Sequence, residues 1–205
     1  MTYALIRHGQ TDWNRDDRMQ GSSDIPLNDL GRDQAREAAG VLIAQQAEVL
    51  DGGAWDVIVI SPLSRARETA EIIADLLSVE LGPSYPEFAE RDYGAHEGDN
   101  ATESIRRYPN RDYPDAEPLQ HVVERGRAGL ELVARDFPDA NVVIVCHGTI
   151  IRYTLASIAG HAVDGIRNGT ISTVEREPDG SWTVLTVNGI PLTEASDEAG
   201  ATLNA

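Results

Sequence analysis

The sequence predicts an α/β fold: a three-layer α/β/α arrangement with a mostly parallel central sheet and an antiparallel edge. Two observations carry this. Short apolar runs at residues 3–6, 57–60 (β-branched throughout) and 142–146 alternate with longer stretches of helical period, as in a parallel sheet covered by helices on both faces. Near the C-terminus, residues 170–175 and 182–187 flank Pro178-Asp179-Gly180, the pattern of an antiparallel hairpin.

Taken in order, residues 3–6 read as a buried strand that ends at Arg7-His8-Gly9. Residues 10–28 are polar and rich in turn formers, among them Gly21, Ser22, Ser23 and Pro26. Asn28 suits a helix N-cap, and Leu30, Ala35, Ala38, Ala39, Leu42 and Ile43 then recur at close to a helical period as far as residue 46. After the strand at 57–60, Ser61 reads as an N-cap and Pro62 as the first helical residue. Ala66, Ala70, Ile73 and Leu77 share one face of that helix, which ends before Gly82-Pro83. Residues 83–118 are loose and proline-rich. Helices are expected over 122–137 and 149–158, on either side of the strand at 142–146. From Asn188 onward the chain is polar and acidic, with no pattern that would order it. The expected organisation is one domain over residues 1–190 and a polar acidic tail over 191–205.

The 205 residues suffice for one domain with an ample core. A formal net charge of -17 argues against nucleic acid and anionic membrane surfaces as partners. All 17 basic residues are arginine, so a site that handles an anion in this acidic chain must gather them locally. The single cysteine excludes an internal disulfide and a multi-cysteine zinc site, which makes a reducing cytoplasm the expected compartment. The apolar run before Arg7 is too short for a signal-peptide core or a membrane span. A homodimer is left open.

Open α/β sheets bind ligands beyond the carboxyl ends of their strands. Here those ends carry Arg7-His8-Gly9, then Ser61 with Arg65 one turn on, then His147-Gly148. Two arginines and two histidines on one crevice suit phosphate ester chemistry. Guanidinium forks match phosphoryl oxygens, and an uncharged imidazole can attack phosphorus. Gly9 would let the chain approach a ligand closely, and the helix after Ser61 would add its dipole. Cys146 and Arg152, with five residues between them, raise a rival: the spacing used by phosphatases whose nucleophile is a thiolate.

Leu5-Ile6-Arg7-His8-Gly9-Gln10-Thr11-Asp12-Trp13-Asn14 resembles the opening signature of the histidine phosphatase superfamily, which includes the cofactor-dependent phosphoglycerate mutases. Gln20-Gly21 with Asp24 and Pro26-Leu27, Gly31 with Gln34-Ala35, and Ser61-Pro62-Leu63-Ser64-Arg65-Ala66 with Thr69-Ala70 extend the resemblance. Glu90-Arg91-Asp92-Tyr93-Gly94 with Glu97-Gly98, and Cys146-His147-Gly148, complete it. Gln10 replaces the acidic residue usual at its position.

The resemblance implies a two-step transfer in which His8 becomes a phosphohistidine that water then hydrolyses. It implies that Arg7, Arg65 and His147 bind the phosphoryl oxygens, and that Glu90 protonates the leaving oxygen and later deprotonates water. It further implies that Asn14, Gln20 and Gly21 line the phosphate pocket, joined as substrate contacts by Arg91, Tyr93, Gly148 and Thr149. Arginine and histidine already supply the positive charge, so no metal is expected. The thiolate reading loses ground on local grounds too. Ile150 and Ile151 look like the first turn of a packed helix, and Cys146 ends an apolar strand where cysteine acts as a small hydrophobe. Arg152 would then lie along that helix, away from the strand tips.

The Glu90–Asn100 segment is close to the mutase form of the superfamily, but Ala101 and Thr149 stand where a mutase would carry lysine and asparagine. The expected activity is therefore hydrolysis of small phosphomonoesters, with a mutase primed by 2,3-bisphosphoglycerate as the alternative, no other cofactor, and an inactive phospho-ligand binder third. Arg106, Arg107 and Arg111 are either a clamp for a second acidic group or a solvated helix face. His96, His121 and His161 read as bland.

Overall fold

The computed structural model describes residues 1–48, 50 and 53–192. Its strands are β1 (Thr2–Arg7), β2 (Val57–Ile60), β3 (Glu80–Ser84), β4 (Val142–Cys146), β5 (Ile171–Arg176), β6 (Trp182–Val187) and β7 (Ile190–Pro191). Its helices are α1 (Asp12–Arg15), α2 (Asp29–Glu48), α3 (Ser64–Leu77), α4 (Ala101–Arg107), α5 (Leu119–Asp136) and α6 (Gly148–Ala159), with 3-10 turns at Pro86–Phe88 and Gly94–His96. One sheet runs in the order β3-β2-β4-β1-β5-β6-β7. β3, β2, β4 and β1 pair in parallel, and β5 adds to β1 in antiparallel fashion, followed by β6 and β7.

The apolar runs are continuous because both faces of the central strands are covered. Tyr3 and Leu5 of β1, Val57 and Val59 of β2, and Val142, Ile144 and Cys146 of β4 face one core with Val122, Leu130 and Val133 of α5 and Ile150, Ile151 and Leu155 of α6. The alternate residues Ala4, Ile6, Ile58, Ile60, Val143 and Val145 face the other, with Ala38, Ala39 and Leu42 of α2 and Ala66, Ala70 and Ile73 of α3. Each fully buried branched side chain contributes about 1.5–3 kcal/mol over an exposed one, so the period-two alternation sets the register. The register puts Arg7 opposite Cys146 and Ile60 opposite Val145, bringing the three strand ends to one rim.

Several expectations are corrected. Ser61-Pro62 does not start α3. The helix begins at Ser64, Leu63 is its N-cap, and Leu63 makes no side-chain cap bond. Asp24 does the capping from a distant turn, accepting from the Ser64 amide and hydroxyl at 2.8 Å each. α3 ends in left-handed Ser78, and Gly82-Pro83 lies inside β3, where proline is tolerated because the strand is at the sheet edge. Leu30 and Ile43 are exposed, so α2 buries mainly alanines and Leu42. The loose stretch 83–118 contains α4, and the polar stretch 10–28 contains α1, closed by a Thr11/Asn14 capping box. β7 and a bond from the Leu192 amide to the Leu185 carbonyl keep order up to residue 192, past the Asn188 limit and the tail's expected start at 191. The rest of that tail, residues 193–205, lies outside the described residues. Among the described residues no helix is long and apolar enough to cross a membrane.

Candidate active site

A cavity of about 390 Å³ opens above the tips of β1, β2 and β4. Arg7, His8, Asn14, Gln20, Gly21, Arg65, Glu90, Tyr93, Gly148 and Thr149 line it. His147 lies fully buried beside it, its ring centroid 5.1 Å from that of His8.

His8 owes its place to the amide bond from its own N–H to the Cys146 carbonyl, which carries β1–β4 pairing one residue past the strand. Its Nδ1 sits 2.7 Å from the Gly9 carbonyl oxygen. A carbonyl only accepts, so Nδ1 holds the proton and Nε2 presents a lone pair. Arg65 Nε donates to that Nε2 at 3.2 Å, while its terminal nitrogens donate to the carbonyls of Gly21 and Ser23 at 2.8 and 2.7 Å. Arg7 is anchored likewise, through Nη1 to the Ile166 carbonyl at 2.6 Å, and its Nε is buried without a partner. Neither guanidinium has a carboxylate within salt-bridge reach among the described residues. Burial holds His8 well below the usual imidazole range, and the Arg65 and Arg7 charges push the same way. His147 is held down by burial, then by Arg65. Both rings are therefore neutral near pH 7.

His147 Nε2 lies 2.6 Å from the Ser61 hydroxyl, and its Nδ1 is buried without a partner. Glu90 reaches the first turn of α6, where its oxygens accept from the amides of Thr149 at 3.1 Å and Ile150 at 3.3 Å. Tyr93 ties the same turn from above, its hydroxyl 2.7 Å from Thr149 Oγ1. Asn14 Oδ1 accepts from Thr11 N and Asn168 Nδ2, which leaves its amide nitrogen for the cavity.

The structure departs from the sequence expectations in four places. Arg91 does not line the cavity: it is buried, donates to the carbonyls of Glu117 and Arg111, and packs near Tyr93 and Tyr113. Gly9 makes its close approach to α2 and not to a ligand, since a Cβ there would lie 2.1 Å from the Gly31 carbonyl oxygen. Arg152 is not remote, because it lines the outer cavity while donating through Nε to the Val163 carbonyl at 2.8 Å. The basic trio separates: Arg111 lines the cavity, Arg106 pairs with Glu103 on the exposed face of α4, and Arg107 sits over the Tyr108 ring. Cys146 is fully buried in the α5/α6 core, where burial pushes its thiol far up, away from the thiolate.

Sequence reading missed Asn168, Arg18 and the partner role of Ser61. Asn168 donates to the His8 carbonyl at 3.0 Å and to Asn14. It lies between α6 and β5, in a stretch without periodicity, and nothing in the sequence signalled it. Arg18 lines the cavity from the Trp13 ring.

The chain is similar to known phosphatases and to a probable phosphoglycerate mutase. An uncharacterized phosphatase, PhoE of Bacillus subtilis, is 42% identical over 157 residues, covering 77% of each chain. A probable phosphoglycerate mutase, GpmB of Cronobacter sakazakii, is 29% identical over 93% of this chain and 94% of its own. Among solved structures, a mycobacterial glucosyl-3-phosphoglycerate phosphatase complexed with VO3 superposes with a TM-score of 0.76 at 25% identity, covering 91% of this chain and 98% of that one. The sequence profile of the histidine phosphatase superfamily (branch 1) matches residues 3–189, and the chain belongs to that superfamily.

Proposed function

We propose that this chain is a phosphatase that hydrolyses small-molecule phosphomonoesters through a phosphohistidine. The observation that carries it is the His8 ring: its proton is tied to the Gly9 carbonyl, so Nε2 is left unprotonated, held by Arg65 Nε, at a cavity walled by two unneutralised guanidiniums. In the first step Nε2 bonds to phosphorus as the ester P–O bond breaks, and Glu90 gives its proton to the leaving oxygen. In the second, water bonds to phosphorus, the P–N bond breaks, and Glu90 takes the water's proton. Arg7, Arg65 and His147 stabilise the charge on the phosphoryl oxygens in both steps. Asn14, Gln20, Gly21 and Gly148 shape the pocket around that group, and Tyr93 and Thr149 hold the Glu90 side of it.

The guanidiniums make a metal unnecessary on this reading, and EDTA should leave turnover unchanged. The same reading takes the protein as a cytoplasmic enzyme with no primer. Water as acceptor is favoured because Ala101 and Thr149 stand where a mutase is expected to carry lysine and asparagine, and the Thr149 hydroxyl is already engaged by Tyr93. The likeness to PhoE points the same way. Arg18, Arg111 and Arg152 around the outer cavity favour an ester with a second acidic group, which is also what a mutase would need. The test is to supply phosphoglycerate with and without a bisphosphate primer. Free phosphate should outpace isomerised phosphoglycerate, and an acid-labile, base-stable label should appear on the wild-type protein but not on His8→Ala. Faster isomerisation would make the chain a mutase.

A further inference from the structure

The phosphoryl transfer through His8 and Glu90 does not use Ser61, yet this residue makes a close, fully buried contact with His147 beside the cavity. It comes directly after the last residue of β2, its amide donates to the Val145 carbonyl at 2.9 Å, and it is 0% exposed. The β2–β4 pairing thereby brings its hydroxyl to 2.6 Å from His147 Nε2. Oxygen and nitrogen at that separation share one proton, and the surroundings decide whose it is. The Leu63 amide already donates to the Ser61 oxygen, at 3.4 Å. No other acceptor is hydrogen-bonded to this hydroxyl among the described residues. A buried O–H left without an acceptor is costly, so the Ser61 proton goes to Nε2. The neutral ring of His147 must then carry its own proton on Nδ1, the nitrogen that has no protein partner.

We propose that Ser61 is a positioning residue: its hydroxyl holds His147 in the Nδ1–H tautomer, so that this ring meets a phosphoryl oxygen with a donor. The inference rests on the phosphatase reading for what the donor binds. The two histidines then have the same tautomer and opposite uses. In His8 the Nδ1 proton is tied to backbone and the bare Nε2 attacks; in His147 the bare Nε2 is tied to Ser61 and the Nδ1 proton is on offer. The other tautomer of His147 would set a bare Nδ1, an acceptor, against an anion that also has only acceptors to present.

The test is nitrogen-15 NMR of the histidine side chains in the intact protein, free and with vanadate, with His147 assigned through its Gln variant. The wild type is expected to show the proton on Nδ1 of His147. Ser61→Ala should give a tautomer mixture, with kcat for phosphate release down about tenfold, the loss of one hydrogen bond's worth of bias, and KM little changed. Ser61→Thr, which keeps the hydroxyl, should restore both. A wild-type spectrum with the proton on Nε2 overturns the proposal, as does a Ser61→Ala variant with unaltered tautomer and rate. Should Ser61→Ala fail to fold, the wild-type spectrum still decides. Lack of phosphate release from every phosphomonoester tried would instead sink the phosphatase reading, and is told apart because the tautomer is read without turnover.

Discussion

The floor of the cavity and its outer wall are held together differently. The floor is three strand ends: His8, Ser61 and His147 each come directly after a parallel strand, and the ladder continues through them by amide bonds at 3.0 Å for His8 and 2.9 Å for Ser61. The wall, residues 85–118, contains none of the strands β1 to β7. It is pinned by long side chains on backbone carbonyls, as when Arg91 reaches Glu117 and Arg111, or Arg125 reaches Glu87 and Ala89. Its aromatic rings Tyr93, His96, Tyr108 and Tyr113 pack edge to face or tilted, with centroids 5.4–5.6 Å apart. A floor made by sheet register places atoms for chemistry. A wall made by individual side chains can vary with the substrate it admits, so floor substitutions should act on kcat and wall substitutions, Glu90 apart, on KM.

His8→Ala should give the largest effect, a fall in kcat of more than about 10⁴-fold, as when a covalent nucleophile is removed. Phosphate release within tenfold of wild type would break the contrast at its centre. Arg65→Lys keeps the charge but loses the fork, and a drop of about 10²-fold in kcat is expected, with KM moved less.

The floor should also govern acid stability. Both histidines have folded-state pKa values depressed below those of the unfolded chain by burial and neighbouring arginines. Below a pH of about 6.5 the unfolded chain binds protons that the folded one refuses, so stability falls as pH falls, by about 1.4 kcal/mol per pH unit for each histidine. Urea unfolding between pH 7 and pH 5, without phosphate, measures this. His8→Asn and His147→Asn should each flatten the slope, and an unchanged slope in both would show that other groups dominate.

On the wall, Arg111→Ala should raise KM about tenfold for an ester with a second acidic group and leave kcat within about twofold. Equal loss in kcat would show that Arg111 joins Glu90 in the chemistry. The smallest effect belongs to Cys146→Ala, expected to keep kcat within about twofold because the protonated, core-packed thiol is no nucleophile.

The floor was legible in the chain because a strand buried on both faces leaves a run such as Val142–Cys146 that no other element explains, and the residues just past such a run stand at the sheet's carboxyl rim. β3 was illegible for the converse reason. At an edge with one neighbour, Glu80–Ser84 needs no apolar run and accepts Gly82-Pro83. Ser61-Pro62 misled because serine before proline looks like a helix start, whereas the hydroxyl was drawn to a buried imidazole just past β4, the neighbouring strand of the sheet. Arg91 misled because its motif surrounds true cavity residues while its own side chain turns inward. Arg152 was taken as remote because position along a helix says nothing about how far a long side chain reaches.

Residue order alone was enough to establish the alternation of strands and helices, the acidic balance, and the four groups His8, Arg7, Arg65 and His147 at strand ends or, for Arg65, one turn beyond one. Those features come from local periodicity and from the general geometry of parallel sheets. Which nitrogen of each histidine is bare, which carbonyls hold the guanidiniums, and that Asn168 and Arg152 join the cavity depended on the folded chain. The His8 tautomer is set by the adjacent Gly9 carbonyl, and Arg152 is held by nearby Val163. But the guanidinium anchors, the His147 tautomer and Asn168 turn on contacts between segments far apart in sequence, and a hydrogen bond of 2.6 to 3.2 Å leaves no trace in the spacing of residues along a chain.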